Sequence, residues 1–156
     1  MKKSIPDNQD YELLFTFFNE LNIISQLSSR LFERKLPGGL TASQFSVLNW
    51  FVRVDNVATP GRLSTAFQVT KGAMTNTLRK LQEKQLVIVE PDRASGRRKI
   101  VKMTRRGRKV RDKAITAIYP LLAEFAQVFD IMEIKQQIIA IQKVRMYLDE
   151  RRYTQN

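Results

Sequence analysis

The sequence predicts a mainly α-helical protein with one small β-hairpin, an α+β fold class. Three observations predict it: long segments with apolar residues at three- and four-residue steps, a central pair of short helix signals, and one β-branched run before a turn-rich loop. Charge is also unevenly placed. Residues 62–113 carry 16 Lys/Arg and 4 Asp/Glu, a net charge of +12, whereas the rest of the chain has 11 of each sign. This concentration indicates that the segment meets a polyanion.

The first long helix is predicted over residues 11–35, and Pro37-Gly38-Gly39 ends it. Its apolar residues are Leu14, Phe17, Phe18, Leu21, Ile24, Leu27 and Leu31. Thr41 and Gln44 then have the spacing of a capping box, which opens a short, largely apolar helix that we expect to be buried. Five aromatic residues of these two helices are interpreted as core rather than as a ligand pocket: Phe17, Phe18, Phe45, Trp50 and Phe51.

Two short helices follow. Thr59-Pro60 is a start signal, with an N-cap residue before a first-turn proline. Thr70 can cap a second helix, from Lys71 to Lys84. The inward stripe of that helix is Met74, Leu78 and Leu81. Two short helices joined by a tight turn predict a helix-turn-helix.

A basic hairpin comes next. Leu86 to Val89 is predicted as a strand, Pro91 to Gly96 as a turn-rich loop, and Arg98 to Met103 as the returning strand. A β-hairpin with a basic tip directly after a helix-turn-helix is the layout of a winged helix-turn-helix.

The C-terminal third is predicted to be helical. Thr104 caps a long helix, Pro120 is expected to kink or break it, and the spacing of Asp130 and Glu133 predicts a capping box for a last helix. One winged helix does not need three long helices to cover it, so their spare apolar faces are predicted to pack against another copy. The predicted dimerisation residues are Leu14, Phe17, Leu21, Ile134, Ile138 and Ile141.

Three segments, in order and spacing, resemble MarR-family transcriptional regulators over about residues 10 to 150. Leu40 to Leu48 resembles their "LT-x-x-Q-F-x-V-L" segment, and Val69 to Leu81 resembles their recognition helix. Lys99 to Gly107 resembles their second wing strand and the "LT-x-x-G" start of the next helix.

The resemblance implies one domain over 1–156, in which the flanking regions 10–36 and 105–152 form a homodimer and the winged helices at 40–104 straddle duplex DNA. It also implies a repressor that a small-molecule effector releases. Two positions depart from the family pattern. Ser95 stands where the wing usually has Asp, although Asp92 can substitute, and Gln85 replaces the usual Gly after the recognition helix, so that helix end is expected to be built differently.

The residues suited to DNA lie on two elements. On the second short helix, Asn76 can pair bidentately with adenine and Arg79 with guanine; the alternative is an ordinary solvated face. The recognition set is Lys71, Gly72, Thr75, Asn76 and Arg79. The wing tip carries Arg93, Arg97, Arg98 and Lys99, which suit a narrow minor groove; the alternative is a charged turn that blunts edge pairing. A dimer predicts a pseudo-palindromic operator with half-sites ~34–36 Å apart.

Composition disfavours other functions. The chain has no cysteine and no histidine, which removes thiol sensing, thiolate metal sites and the commonest general base. The basic segment has only scattered acids, so we expect no enzyme, catalytic residue, metal or cofactor. Without a signal peptide or a ~20-residue apolar span, the expected location is cytoplasmic, with no membrane partner. The alternatives are a non-specific architectural DNA-binding protein and, less favoured, a basic nuclease or a membrane-surface protein binding through residues 104–113.

Overall fold

The computed structural model describes residues 5–154, apart from the side chains of Arg97 and residues 152–154. The helices are α1 (Asn8–Glu33), α2 (Ala42–Arg53), α3 (Pro60–Ala66), α4 (Lys71–Glu83), α5 (Arg105–Val128) and α6 (Ile131–Thr154). The strands are β1 (Val57–Ala58), β2 (Val87–Asp92) and β3 (Ser95–Met103), and a 3₁₀ turn covers Pro37–Gly39. The chain divides into two compact units, Met1–Ala117 and Ile118–Asn156. The mainly α-helical fold with a small β-hairpin wing is confirmed.

The predicted starts of α2, α3 and α4 are confirmed by their caps, whereas α1 begins at Asn8, three residues before the predicted start. Thr41 and Gln44 form the reciprocal capping box of α2, with N–H to oxygen distances of 3.3 and 3.4 Å. The Thr59 hydroxyl accepts from the Arg62 N–H at 3.1 Å to open α3. The Thr70 hydroxyl accepts from the Ala73 N–H, also at 3.1 Å, to open α4. These short polar side chains satisfy N–H groups that would otherwise have no partner in the first turn.

The three strands form one antiparallel sheet in the order β1-β3-β2. Val57 pairs with Lys102, and Val89 pairs with Val101. The sequence did not predict β1, because a two-residue strand is too short to show a period. The predicted loop from Pro91 to Gly96 is also wrong: both strands run on, and only two residues make the turn. Pro91 is tolerated because β2 is an edge strand and does not need its N–H for a second neighbour.

The core of the first unit lies between α2, α3, α4 and the sheet. Its fully buried side chains include Leu48 from α2, Leu63 from α3 and Leu81 from α4, packed with Val87 and Val101 from the sheet. The predicted inward stripe of α4 is confirmed, since Met74, Leu78 and Leu81 are all buried. These contacts fix the orientation of α4, so its opposite face is the exposed one.

Helix α1 differs from that core, because none of its residues is buried. The interpretation of five aromatic residues as core is therefore wrong for Phe18, which is 47% exposed. Phe17, Phe45 and Trp50 are half-buried, and only Phe51 is fully buried. Amphipathic spacing predicts an apolar face of α1 but does not show whether this chain covers it.

Helix α5 is tied to the winged helix at its start. The Thr104 hydroxyl caps it by accepting from the Gly107 N–H at 2.9 Å, and donates to the Gln85 carbonyl at 2.8 Å. A Cβ at Gly107 would lie 2.1 Å from the Leu86 carbonyl oxygen, so only glycine permits this approach. The helix then continues through Pro120. Of the predicted kink or break, the break is therefore wrong, and the kink stays a prediction.

Candidate nucleic-acid interface

The turn between α3 and α4 depends on a residue with positive φ. Gln68, directly after the C-cap of α3, has φ 51°. Its N–H donates to the Thr65 carbonyl at 3.2 Å, and the Val69 N–H donates to the Ser64 carbonyl at 3.0 Å. This pair of bonds is a Schellman motif, which ends α3 sharply and lets Thr70 begin α4 two residues later.

The end of α4 repeats this geometry. Gln85 has φ 59°, its N–H donates to the Gln82 carbonyl at 2.8 Å, and the Leu86 N–H donates to the Leu81 carbonyl at 2.9 Å. The expectation that Gln85 changes the helix end is therefore wrong, because glutamine adopts the left-handed conformation that glycine usually supplies. Its side chain also accepts from Arg106 at 3.1 Å.

Lys84 fastens the same end of α4 to the turn before α2. Its Nζ donates to the carbonyl oxygens of Gly38 and Gly39, both at 2.8 Å. These two carbonyl acceptors hold the ammonium against the turn, and Lys84 is half-exposed. This cation of the basic segment therefore positions α4 within the unit.

The exposed face of α4 carries the whole predicted recognition set. Lys71, Gly72, Thr75, Asn76 and Arg79 are all exposed, on the side opposite Met74, Leu78 and Leu81. The Thr75 hydroxyl donates back to the Lys71 carbonyl at 2.8 Å. No atom lies within 4 Å of a Cβ built at Gly72, so this first turn stands clear of the rest of the chain.

Three side chains on that face are linked to one another. Arg79 Nη2 donates to Asn76 Oδ1 at 3.0 Å, and Arg79 Nη1 forms an ion pair with Glu83 Oε1. The Arg79 and Glu83 side chains are 60% and 57% exposed. Glu83 is one of the four acids that look scattered over the basic segment in the sequence. The i,i+4 spacing from Arg79 is the signal that could have found the pair.

The wing presents an exposed basic tip. Arg93, Arg98 and Lys99 are exposed, whereas the Arg97 side chain, also predicted to bind DNA, lies outside the described residues. Asp92 accepts from the Ala94 N–H at 3.0 Å, so the carboxylate that could have replaced the missing Asp at Ser95 stabilises the turn itself.

Behind the tip, β2 and β3 are joined by an ion pair. Lys102 Nζ lies 2.7 Å from Glu90 Oε1. The hydrogen bond and charge of Lys102 lower the pKa of Glu90 below its ordinary value, and the charge of Arg93 adds to this. Glu90 is therefore ionised at neutral pH and its charge is locally compensated.

The basic residues at the start of α5 have two different roles. Arg105, Arg108 and Lys109 are exposed and extend the positive surface. Arg111 is instead structural: its Nε and Nη2 donate to Asn49 Oδ1 at 3.1 and 2.6 Å, and its Nη1 lies 3.0 Å from Asp112 Oδ1. Its side chain is only 15% exposed, so it joins α5 to α2.

All four acids of the basic segment have partners in the structure. Glu83, Glu90 and Asp112 pair with Arg79, Lys102 and Arg111, and Asp92 accepts a backbone N–H. Each carboxylate is thus engaged locally, and the exposed cations of α4, the wing tip and α5 set the sign of the surface.

Among residues 5–154, no group of three or more Asp, Glu, His or Cys side chains is placed to hold a metal ion. Over the same residues, none of the helices taken alone has the length and hydropathy of a membrane span, although α5 and α6 have them when taken together across their bend.

Residues 38–98 match the family model of the MarR family. No curated protein matches the chain. The fold is similar to that of the transcriptional regulator BldR from Sulfolobus solfataricus, with 24% identity, a TM-score of 0.70 and coverage of 88% of this chain and 99% of that one.

It is also similar to a mutant MarR from E. coli complexed with operator DNA, with 24% identity, a TM-score of 0.72 and coverage of 89% and 99%. A probable transcriptional regulator from Pseudomonas aeruginosa has 17% identity, a TM-score of 0.68 and coverage of 80% and 92%. At these identities, the likeness to solved structures shows the fold.

Proposed function

Because this chain carries the MarR-family winged helix, we propose that it is a dimeric, sequence-specific regulator of transcription that binds double-stranded DNA in the cytoplasm. The observation that carries the proposal is the two-sided character of α4. One side is buried in the core, and the other presents an exposed set of hydrogen-bonding and basic side chains. The match to an operator-bound relative supports the same reading.

The proposed contacts follow from these surfaces. Helix α4 enters the major groove, where Lys71, Thr75, Asn76 and Arg79 reach base edges or phosphates and Gly72 allows close approach. The wing tip, with Arg93, Arg97, Arg98 and Lys99, lies along the adjacent minor groove. The exposed cations at the start of α5 add attraction to phosphate that does not depend on sequence.

Dimerisation is proposed from apolar surface that the single chain leaves open. In α1, Leu14 is 52% exposed, with Phe17 and Leu21 half-buried on the same stripe. In α6, Ile138 and Ile141 are 48% and 40% exposed, and Ile134 is half-buried. Apolar surface on this scale is typical of an interface. A second copy is the proposed occupant, because two DNA-binding halves are what a pseudo-palindromic operator requires.

The proposed effect is repression that a small molecule relieves. A dimer on its operator would exclude the transcription machinery. A cavity of about 310 Å³ lies against α4, lined by Ser43 and Ser46 of α2, Phe67 and Val69 of the turn, and Thr77 of α4. This volume is at the lower end for ligand pockets. The lining is apolar with hydroxyl groups, so we propose small uncharged aromatic molecules as effectors.

The effector proposal is tested by adding a panel of such molecules to a preformed protein–duplex complex. Release of the duplex by a member of the panel supports control at this cavity, provided that Ser46→Phe, which fills it, abolishes the release. A panel without effect contradicts effector control of this class and leaves the DNA-binding proposal standing.

The DNA-binding proposal is tested by selection from a random pool of duplexes, followed by competition between the selected duplex and a scrambled one. We expect a pseudo-palindromic consensus and at least ~10³-fold tighter binding of the selected duplex. With about 6–10 phosphates neutralised, affinity should fall ~10³–10⁵-fold between about 50 and 200 mM salt. Equal affinity for both duplexes would support the alternative, a non-specific architectural protein. Binding to neither would overturn both.

A further inference from the structure

We propose that Asn76, Arg79 and Glu83 form one preassembled reading unit that selects guanine at a single operator position, with Glu83 as the positioning residue. This inference rests on the proposed function, since it requires α4 to enter the major groove. It differs from the sequence-based expectation, in which Asn76 reads adenine and Arg79 reads guanine independently.

The geometry places the three side chains on one stripe of α4, three and four residues apart. The Arg79 guanidinium lies between the other two, donating from Nη2 to Asn76 Oδ1 at 3.0 Å and pairing through Nη1 with Glu83. Arg79 has five N–H donors, so three remain for a ligand. The amide orientation of Asn76 follows from its partner, because only its oxygen can accept from a guanidinium.

This arrangement changes what Asn76 offers to a base. Pairing with adenine needs the amide oxygen to accept from the N6 amino group while the amide nitrogen donates to N7. In this unit the oxygen already accepts from the Arg79 guanidinium, so the N6 amino group of adenine would have to compete with a charge-assisted hydrogen bond. The unit therefore presents mainly donors, from the Asn76 Nδ2 and the remaining Arg79 N–H groups. Guanine, with N7 and O6 as adjacent acceptors, is the major-groove edge that matches such a surface.

The position of Glu83 is electrostatically unfavourable in two respects, which indicates that its carboxylate has a function there. A carboxylate in the last turn of a helix opposes the helix dipole, and a negative charge near the groove opposes a polyanion. What it contributes is orientation: it holds the Arg79 side chain before DNA arrives, so that less rotamer entropy is lost on binding. An untethered Arg79 would instead be drawn to backbone phosphates, which carry no sequence information.

The test uses the full-length protein and the duplex that random-pool selection identifies. Four duplexes carrying G·C, C·G, A·T or T·A at each half-site position are titrated against wild type, E83Q, R79K and E90Q. Glu90→Gln is the matched control, because it removes the same charge from a solvent-exposed ion pair, Glu90–Lys102, on the wing rather than on α4. All four proteins are compared at one salt concentration.

For wild type we expect one position at which G·C exceeds the other pairs by roughly 5- to 150-fold, the value of a good bidentate contact. E83Q and R79K should lower that ratio by about tenfold at that position only. E90Q should keep it. Both variants that lose a carboxylate, E83Q and E90Q, should bind the duplexes without G·C at that position more tightly, because a negative charge that opposes the phosphates has been removed.

An unchanged ratio in E83Q, or a wild-type preference for A·T at the position that R79K affects, would overturn the reading unit while leaving the proposed function intact. Failure of wild type to prefer any duplex would overturn the proposed function itself.

Discussion

The winged helix and helix α1 use their apolar residues in opposite ways. Leu48, Leu63 and Leu81 of the winged helix are fully buried by neighbours in the same chain. The 26-residue α1 has an equally regular apolar pattern and no buried residue. Apolar periodicity therefore predicts that a face will be covered but not what covers it. The winged helix completes its core with residues of the same chain, whereas the apolar face of α1 is expected to be covered by another copy of the protein.

The largest effect on stability is expected in the core of the winged helix. Leu48→Ala should lower the free energy of unfolding by about 2–5 kcal/mol, because it leaves a cavity among well-packed neighbours. The measurement is urea denaturation followed by circular dichroism. Ile88→Ala is the matched control, since the same number of carbon atoms is removed from a side chain that is 49% exposed and lies outside the proposed interface helices. Equal losses in the two variants would contradict the burial of Leu48 in a core that this chain completes by itself.

The interface between copies is tested by placing a charge in α6. Ile138→Glu should weaken self-association by at least roughly tenfold, because an unpaired carboxylate would have to be buried against the partner. Sedimentation velocity across a concentration series measures this change. Gln136→Glu introduces the same charge at an exposed polar position two residues from Ile138, on the other side of α6, and should leave association unaltered. A dimer that tolerates Ile138→Glu excludes this part of α6 from the interface.

Two glycines test how closely α5 is bound to the winged helix. Gly107→Ala should destabilise the protein by about 1–3 kcal/mol, because its Cβ would collide with the Leu86 backbone. Gly72→Ala, where space is open, should instead stabilise α4 by up to ~1 kcal/mol. Thermal unfolding of the two variants measures both changes in stability. A neutral Gly107→Ala would show that the start of α5 can move away.

Replacing either of the two glutamines that have positive φ, Gln68 and Gln85, by glycine should raise the stability of the protein slightly. Gln68→Gly should raise the free energy of unfolding by about 0.5–1 kcal/mol, because glycine adopts positive φ without steric cost. Gln85→Gly should gain less, since it also loses the hydrogen bond from Arg106. Chemical denaturation of both variants checks this order, and a loss of stability at position 68 would contradict it.

The smallest expected effect is on the acid side of the stability profile. The hydrogen bond from Arg62 lowers the pKa of Asp55, and Lys102 lowers the pKa of Glu90. Stability from these pairs is present above the ordinary pKa values of 3.8 and 4.5, and is lost as the pH falls through the lowered ones. Asp55→Asn and Glu90→Gln should each flatten the decline in melting temperature below about pH 5. A slope equal to that of wild type would show that these exposed pairs contribute nothing.

Much of the winged helix could be predicted because its signals are local. Threonines at 41, 59, 70 and 104 mark helix starts, and the spacing of Met74, Leu78 and Leu81 identifies the buried side of α4. The full length of the wing strands could not be predicted, because strand pairing depends on backbone hydrogen bonds. In addition, Pro91 is a residue type that usually marks a turn. Whether Pro120 would break α5 could not be decided from the sequence, because the surrounding helix outweighs one lost hydrogen bond.

The sequence predicted which residues of the candidate site share one face of α4, but not the hydrogen bonds and ion pair that join their side chains. Lys71, Thr75, Asn76 and Arg79 were identified from the face they share. The bonds that join Asn76, Arg79 and Glu83 depend on rotamers, which sequence spacing permits but does not determine. The exposure of Phe18 was not predictable either, because it depends on whether a second chain is present.

The mass of the protein–duplex complex tests the central claim most directly. Multi-angle light scattering at about 200 mM salt, on a complex with the selected duplex, should show two chains of 18.2 kDa on each duplex. At the same salt concentration it should show no complex with a scrambled duplex. One chain per duplex, or the same complex on both duplexes at that salt concentration, would contradict a dimer that reads DNA sequence.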